Sequence, residues 1–268
     1  MDNLDTIAAK AFEGYVVRKD LVRQFKGQYP VPTYVVEFLL GRYCASTEPA
    51  EIEEGMKIVK KQLSSRAVRS GEEELAKSNA RENGSIKVID LIRARLDAKT
   101  DSYVVELPSL HLKDIRINDK LVKDNDRMLT GGFYSEVDLG YDGAIAQEKN
   151  GRPFSIDSLR EIQLSKANVL DVMVKGRAEF GFDEWKDFLL RSVGLEPEAL
   201  SERARDIMLL RMVPFVERNY NVVELGPRGT GKSHLFEQVS PYAHLVSGGK
   251  ASVAQMFVNN SNGQRGLV

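Results

Sequence analysis

Apolar positions recur at helical spacing through the first third of the chain and then change to the alternation of strands. Over residues 1–83 the pattern predicts short helices at 2–13, 20–25 and 33–43, the last rich in Val35, Val36, Phe38, Leu39 and Leu40. A better-signalled helix follows. Thr47 can cap it, Pro49 suits its first turn, and Glu51, Glu53 and Glu54 complement the positive end of the helix dipole. Ile52, Met56, Val59 and Leu63 form its apolar stripe, and a more polar helix is expected over 72–81.

At Asn83-Gly84 the rhythm changes. Segments 86–92, 103–107, 115–117 and 133–139 read as strands, separated by turn residues at 97–101, Pro108-Ser109, Asn118-Asp119 and Gly131-Gly132. Four short strands in this space predict a small antiparallel sheet or partial barrel, and an OB-like barrel is one arrangement they allow. The polar stretch 141–152, followed by Pro153, reads as a linker, after which helices resume. Asp183 can cap a helix carrying Trp185, Phe188, Leu189 and Leu190 and ended by Gly194. Pro197 can open the next, with Leu200, Ala204, Ile207, Met208 and Met212 inward until Pro214. Val222 to Leu225 is a short apolar run that can be a buried strand, and 234–239 can continue a helix. The fold class expected is therefore an α+β domain over residues 1–145, then linker helices and the start of an α/β domain over 146–268.

The last strand–helix pair encloses the most chemical segment of the chain. Gly226-Pro227-Arg228-Gly229-Thr230-Gly231-Lys232-Ser233 fits G-x-x-x-x-G-K-[ST], the Walker A phosphate-binding loop. Gly226, Gly229 and Gly231 allow a tight turn and close approach of the backbone to oxygen atoms. Backbone N–H groups at a helix N-terminus then favour anions. The pattern predicts ATP as the ligand, with Lys232 reaching its β- and γ-phosphates and the Ser233 hydroxyl on Mg²⁺. Hydrolysis also needs an acidic residue on a second strand. Residues 234–268 offer only Glu237, on the helix directly after the loop. The expectation is a chain cut just after its first catalytic motif, able to bind ATP but not to hydrolyse it, and holding no catalytic residue of its own.

Composition narrows the class. The chain has 268 residues, 42% hydrophobic and 29% charged, with a net charge of -1. That suits a soluble globular protein with room for two domains. No apolar run approaches the ~18 residues of a membrane helix, and the acidic N-terminus lacks signal-peptide features. A single cysteine, Cys44, excludes internal disulfides and reads as buried packing. His111, His234 and His244 lack metal-ligand spacing. The expected compartment is the cytoplasm.

A neutral chain can bind nucleic acid only through local patches. Residues 57–69 carry Lys57, Lys60, Lys61, Arg66 and Arg69 with no acidic residue between them. On a helix the lysines share a face opposite the apolar stripe and can follow a phosphate backbone. A solvated helix end is the plainer reading. Arg18, Lys19, Arg23 and Lys26 form a second patch, diluted by Asp20 and interleaved with Tyr15, Phe25 and Tyr29, which would suit base stacking, although core packing is the commoner use of such aromatics.

Several stretches resemble the BrxL family, the Lon-like AAA+ proteins of bacterial BREX phage-exclusion systems. They are 21–27, 31–40, 220–233, 257–260 and 263–268, and the likeness covers essentially the whole chain. The resemblance implies an N-terminal DNA-binding domain followed by an AAA+ ATPase, with a C-terminal Lon-like domain beyond. It implies ring assembly on DNA, partners among other BREX components, and contact with duplex DNA that is nonspecific in sequence. Two other function classes stay open on the residues: an ATP-dependent Lon-like protease, and a non-enzymatic DNA-binding or assembly module.

Overall fold

The computed structural model describes residues 3–13, 15–46, 48–162, 169–240, 243, 246, 252–259 and 264–265. Five helices come first: α1 (Asn3–Ala11), α2 (Lys19–Phe25), α3 (Thr33–Tyr43), α4 (Pro49–Arg66) and α5 (Glu73–Asn83). The barrel segment follows: β1 (Ser85–Asp97), β2 (Ser102–Leu107), β3 (Leu112–Ile117), α6 (Asp119–Lys123), β4 (Phe133–Tyr141), α7 (Gly143–Ala146) and β5 (Phe154–Glu161). Then come α8 (Val169–Arg177), α9 (Phe182–Ser192), α10 (Glu202–Leu210), α11 (Lys232–Val239), α12 (Val253–Met256), β6 (Val258–Asn259) and β7 (Gln264–Arg265). Among the described residues no helix is long and apolar enough to cross a membrane. The Thr47 cap and His244 lie outside the described residues.

By backbone contacts the chain groups into two compact units, 1–26, 32–57 and 164–243 in one, 27–31, 58–163 and 244–268 in the other. In the first, α2 packs on α3 through Leu21, Val22 and Phe25, with Val35, Val36, Leu39 and Leu40 also buried. Gly55 of α4 lies against the end of α3, where an added Cβ would stand 2.0 Å from the Tyr43 carbonyl oxygen. Cys44 is buried there, as its apolar surroundings predict, and burial pushes its thiol up. A second cluster gathers four rings, Phe12, Phe180, Trp185 and Phe188, with centroids 5.0 to 6.3 Å apart. Gly176 of α8 admits the Phe12 ring so closely that a Cβ would meet it at 2.2 Å.

The second unit is built on a closed barrel of order β1-β2-β3-β5-β4. β1 belongs to two pairings. Its first part, Ser85 to Ile92, runs antiparallel to β4, and Arg93 to Asp97 run antiparallel to β2. Gly132, at φ 76°, sits at the changeover, where a Cβ would stand 2.4 Å from the Ile92 carbonyl oxygen. β3 and β5 close the barrel in parallel, with Arg116 opposite Ser155 and Ile117 opposite Ile156. Alternate residues of β4, Phe133, Ser135, Val137 and Leu139, point inward. Ile92, Leu107 and Ile115 join them, and Val122 and Met128 from the β3–β4 connection fill the interior. Burying each such side chain contributes ~1.5–3 kcal/mol.

Polar ties brace the barrel. Arg66 at the end of α4 meets Glu136 of β4 at 2.8 Å. Asp90, buried on β1, accepts from the Ser109 N–H at 3.0 Å and its hydroxyl at 2.7 Å, and burial raises its carboxyl. Arg152, in the β4–β5 connection, donates to Asp97 at 2.6 Å. That contact, aided by the Lys99 N–H, holds Asp97 down to about 2.

The helices of the first 83 residues and the first four strands lie where the sequence predicts them. Several expectations fail. Residues 142–153 connect β4 to β5 within one barrel rather than leading to helices, and β5 itself went unpredicted. Its sequence, FSIDSLRE, shows little apolar alternation. Helix α9 starts from Gly181, whose N–H donates to Glu184 at 2.8 Å, with Asp183 inside the first turn. Pro197 opens only a 3-10 turn, and Ser201 caps α10, on which Ile207 is 45% exposed rather than inward.

Asp97 gives a test of barrel closure. Its folded value of about 2 lies below the ~3.9 of an unfolded aspartate. The stabilisation is therefore complete above pH ~4 and disappears as pH falls through the folded value. The thermal midpoint of wild type should exceed that of Asp97→Asn at pH 7, and the gap should narrow steadily between pH 4 and 2. A gap that does not change over that range contradicts the pairing.

Candidate functional site

The strand expected at 222–225 is not formed. Residues 221–227 are irregular, with Val223 85% and Leu225 90% exposed. Among the described residues no strand pairs with this segment. An apolar run of this length needs a neighbouring strand on each side before it can be buried as a parallel strand. The helix after the loop does form, as α11.

Between them the loop takes the form its glycines allow. Gly229 and Gly231 have φ of 79° and 73°, the left-handed region that side chains disfavour. Gly226 does not share that conformation, so its role in the turn is narrower than the spacing predicts. Gly231 is the N-cap of α11, which turns the first N–H groups of the helix toward the loop. Lys232 curls back over it and donates to the Gly226 carbonyl at 3.2 Å, the Pro227 carbonyl, and Thr230 Oγ1 at 3.1 Å. Thr230 Oγ1 itself donates to the Pro227 carbonyl at 3.1 Å. Arg228 and Ser233 are exposed. A cation, a hydroxyl and helix N–H groups therefore converge at one loop, the chemistry that binds phosphate oxygens.

Two supports of the loop were not foreseen. Arg211, 8% exposed, donates to the Gly231 carbonyl at 3.1 Å and places Nε 2.9 Å from Glu224 Oε2. One guanidinium thus links Gly231, within the octapeptide, to Glu224, two residues before it. The sequence held a signal for it, because Arg211 is the lone charge in the apolar stretch 208–216, and a buried charge requires a partner. The second support is Gln238 of α11, whose side-chain oxygen accepts from the Thr33 N–H at 2.9 Å and the Thr33 hydroxyl at 3.0 Å. It satisfies a free N–H at the start of α3, and nothing local in sequence announces it.

The nine basic residues fall on α4 and α2 and on the residues that flank them. On α4, Lys57 is exposed and paired with Glu53 at 2.7 Å, which raises its ammonium. Lys60 and Lys61 are exposed with no ion-pair partner among the described residues. Arg66 is committed to Glu136, and the Arg69 guanidinium lies 5.6 Å above the Tyr29 ring. On and beside α2, Arg18 pairs with Asp20 at 2.6 Å and Lys19 with Glu37, whereas Arg23 and Lys26 stay exposed. Phe25 is buried and so does not offer a stacking surface. Exposed ion pairs such as Lys57–Glu53 are weak enough to exchange for a phosphate.

Comparison with known proteins places this geometry. The family model "BREX system Lon protease-like protein BrxL N-terminal" matches residues 10–141, and "Lon-like protease BrxL-like, ATPase domain" matches residues 154–268. The chain belongs to the BrxL family. Two curated members, both called Lon-like protease BrxL, come from Escherichia coli O9:H4 (strain HS) and Bacillus cereus (strain H3081.97). The first is 44% identical over 266 residues, covering 99% of this chain and 38% of the relative. The second is 43% identical over 269 residues, covering 100% and 39%. The chain therefore spans about two fifths of the length of these BrxL relatives. The BrxL ATPase match begins at residue 154, where β5 begins, so the strand that closes the barrel falls within it.

Arg211 should position the loop for its ligand. Arg211→Ala removes the donor to the Gly231 carbonyl and the cation beside Glu224. ATP affinity, measured by calorimetry, should fall roughly tenfold or more, the usual worth of hydrogen bonds to a charged group. Arg211→Lys keeps the charge but not the fork and should recover part of the loss. Unchanged affinity in a folded Arg211→Ala protein would sink this role.

Proposed function

We propose that this protein is an ATP-dependent DNA-binding component of a bacterial BREX phage-defence system, working in the cytoplasm. The observation that carries the reading is the glycine loop with Lys232 and Ser233 at the start of α11, its Gly231 carbonyl held by the buried Arg211. Residues 226–233 bind ATP. Lys232 exchanges its loop carbonyls for the β- and γ-phosphates, and the Ser233 hydroxyl takes a place on Mg²⁺. Magnesium supplies charge neutralisation along the phosphate chain. Hydrolysis in sites of this class also draws on an arginine, often from a neighbour, so self-association into a ring belongs to the proposal, as do contacts with other BREX components.

The barrel supports the DNA half of the reading. Its closed order β1-β2-β3-β5-β4, with a helix between β3 and β4, fits a five-stranded OB-type barrel. Lys57, Lys60, Lys61 and Arg69 on and after α4, with Arg23 and Lys26 near α2, offer cations to phosphates without reading bases. Duplex binding is accordingly nonspecific in sequence.

Both halves are tested by affinity. Lys232→Ala should weaken ATP binding roughly tenfold or more, and a folded variant that binds ATP like wild type removes the nucleotide assignment. Replacing Lys57, Lys60 and Lys61 together by Ala should weaken all duplexes alike. It should also flatten the slope of log K against log salt by about 0.9 for each phosphate no longer neutralised. If affinity and slope both persist, α4 is only a solvated face.

A further inference from the structure

Helices α2, α3 and α11 belong to one compact unit, and α3 starts without a cap of its own. Pro32 stands at its N-cap and makes no side-chain hydrogen bond there. The Gln238 side-chain oxygen takes that place, accepting from the Thr33 N–H at 2.9 Å and from the Thr33 hydroxyl at 3.0 Å. The negative C-terminal end of α11 thereby meets the positive N-terminal end of α3. A serine at position 32 would cap α3 locally; proline leaves the task to a side chain 205 residues away. The other end of α11 carries the glycine loop. Gln238 lies six residues after Lys232 on the same helix, a rise of about 9 Å. Leu235 is buried, and the Phe236 ring stands 5.1 Å from that of Phe215. In the other direction α3 carries α2. Leu21, Val22 and Phe25 are buried where the two helices pack, and Glu37 of α3 pairs with Lys19 of α2. Arg23 and Lys26 face away from that contact, exposed and with no ion-pair partner among the described residues.

We propose that the Gln238–Thr33 cap links nucleotide binding at residues 226–233 to duplex binding at Arg23 and Lys26, each ligand tightening the other. The proposal rests on the ATP and DNA readings above and adds the regulation between them. The cap is the element with two states, made or open. Phosphates held at the start of α11 immobilise that helix and lower the entropic cost of keeping Gln238 on Thr33. A phosphate backbone across Arg23 and Lys26 immobilises α2 and, through Glu37 and the buried contact, α3. That favours the same state of the cap. Two ligands that favour one state bind with positive linkage, by the same factor in each direction.

The test measures the affinity of the 268-residue chain for a fluorescein-labelled duplex by anisotropy, with and without ATPγS and Mg²⁺, and reads the ratio. Wild type should bind the duplex about fivefold or more tighter with the nucleotide present. Calorimetry should show ATPγS gaining by the same factor when duplex is saturating. Gln238→Ala should bring the ratio to one while nucleotide-free duplex affinity stays as in wild type. Gln238→Glu keeps the acceptor and should keep the ratio. If Gln238→Ala does not fold, Thr33→Val decides, because it removes one of the two donors with little change of shape and should lower the ratio. Replacing Arg23 and Lys26 together by Ala should also bring the ratio to one, whereas the Lys57, Lys60 and Lys61 triple variant should keep it. A wild-type ratio at or below one, with both ligands bound, overturns the linkage and leaves the two readings beneath it standing. A wild-type ratio in Gln238→Ala, or its loss in Gln238→Glu, overturns the role of the cap. Wild type that binds no nucleotide, or no duplex, defeats the reading on which the proposal rests.

Discussion

The double pairing of β1 governs the barrel. One strand of 13 residues serves β4 along its first part and β2 along its last. Such a strand must bend at the changeover, and the bend brings β3 round to β5 for a parallel closure. Gly132 makes the changeover possible by leaving room beside the Ile92 carbonyl. The pairing buries an alternating set of side chains on one inner face. It also leaves Arg116 and Ser155, paired in register, on the outer side of β3 and β5. The surface chemistry of this unit follows from that register, because a slip of one residue would turn Arg116 inward.

The glycine loop rests on a different kind of constraint. The run 222–225 is exposed, so the loop is not held by a sheet on the side that precedes it. Its shape comes instead from two left-handed glycines, from α11 and from the Arg211 guanidinium. A buried arginine needs a counter-charge and acceptors; Glu224 supplies the charge and the Gly231 carbonyl accepts one hydrogen bond. Phosphate chemistry needs the N–H groups held in place before the ligand arrives, and these contacts do so locally.

The sequence reveals helices more readily than closure. The apolar stripe of α4 was legible, and Ile52, Val59 and Leu63 are buried as it requires. Gly55 gave no warning that α4 touches the backbone at the end of α3. β1 to β4 alternate clearly, but Phe154 to Glu161 carry too few apolar residues to declare a strand, because their partners rather than their own pattern define them. The basic run after Lys57 was legible as charge, not as partners. Arg66 and Lys57 turn out to be engaged with carboxylates from distant and adjacent positions, whereas Lys60 and Lys61 remain exposed. Arg116 and Arg152 stood apart in sequence and gave no cluster to read. Only the pairing of β3 with β5 brings them together, with Arg116 donating to the Arg152 carbonyl.

The central claim is that residues 226–233 form a nucleotide site shaped before its ligand binds. Amide hydrogen exchange with and without ATP and Mg²⁺ measures this most directly. The account predicts slower exchange at residues 228–233 and the first turn of α11, with the barrel strands unchanged. Exchange that stays the same at the loop, or slows only in the barrel, would contradict it.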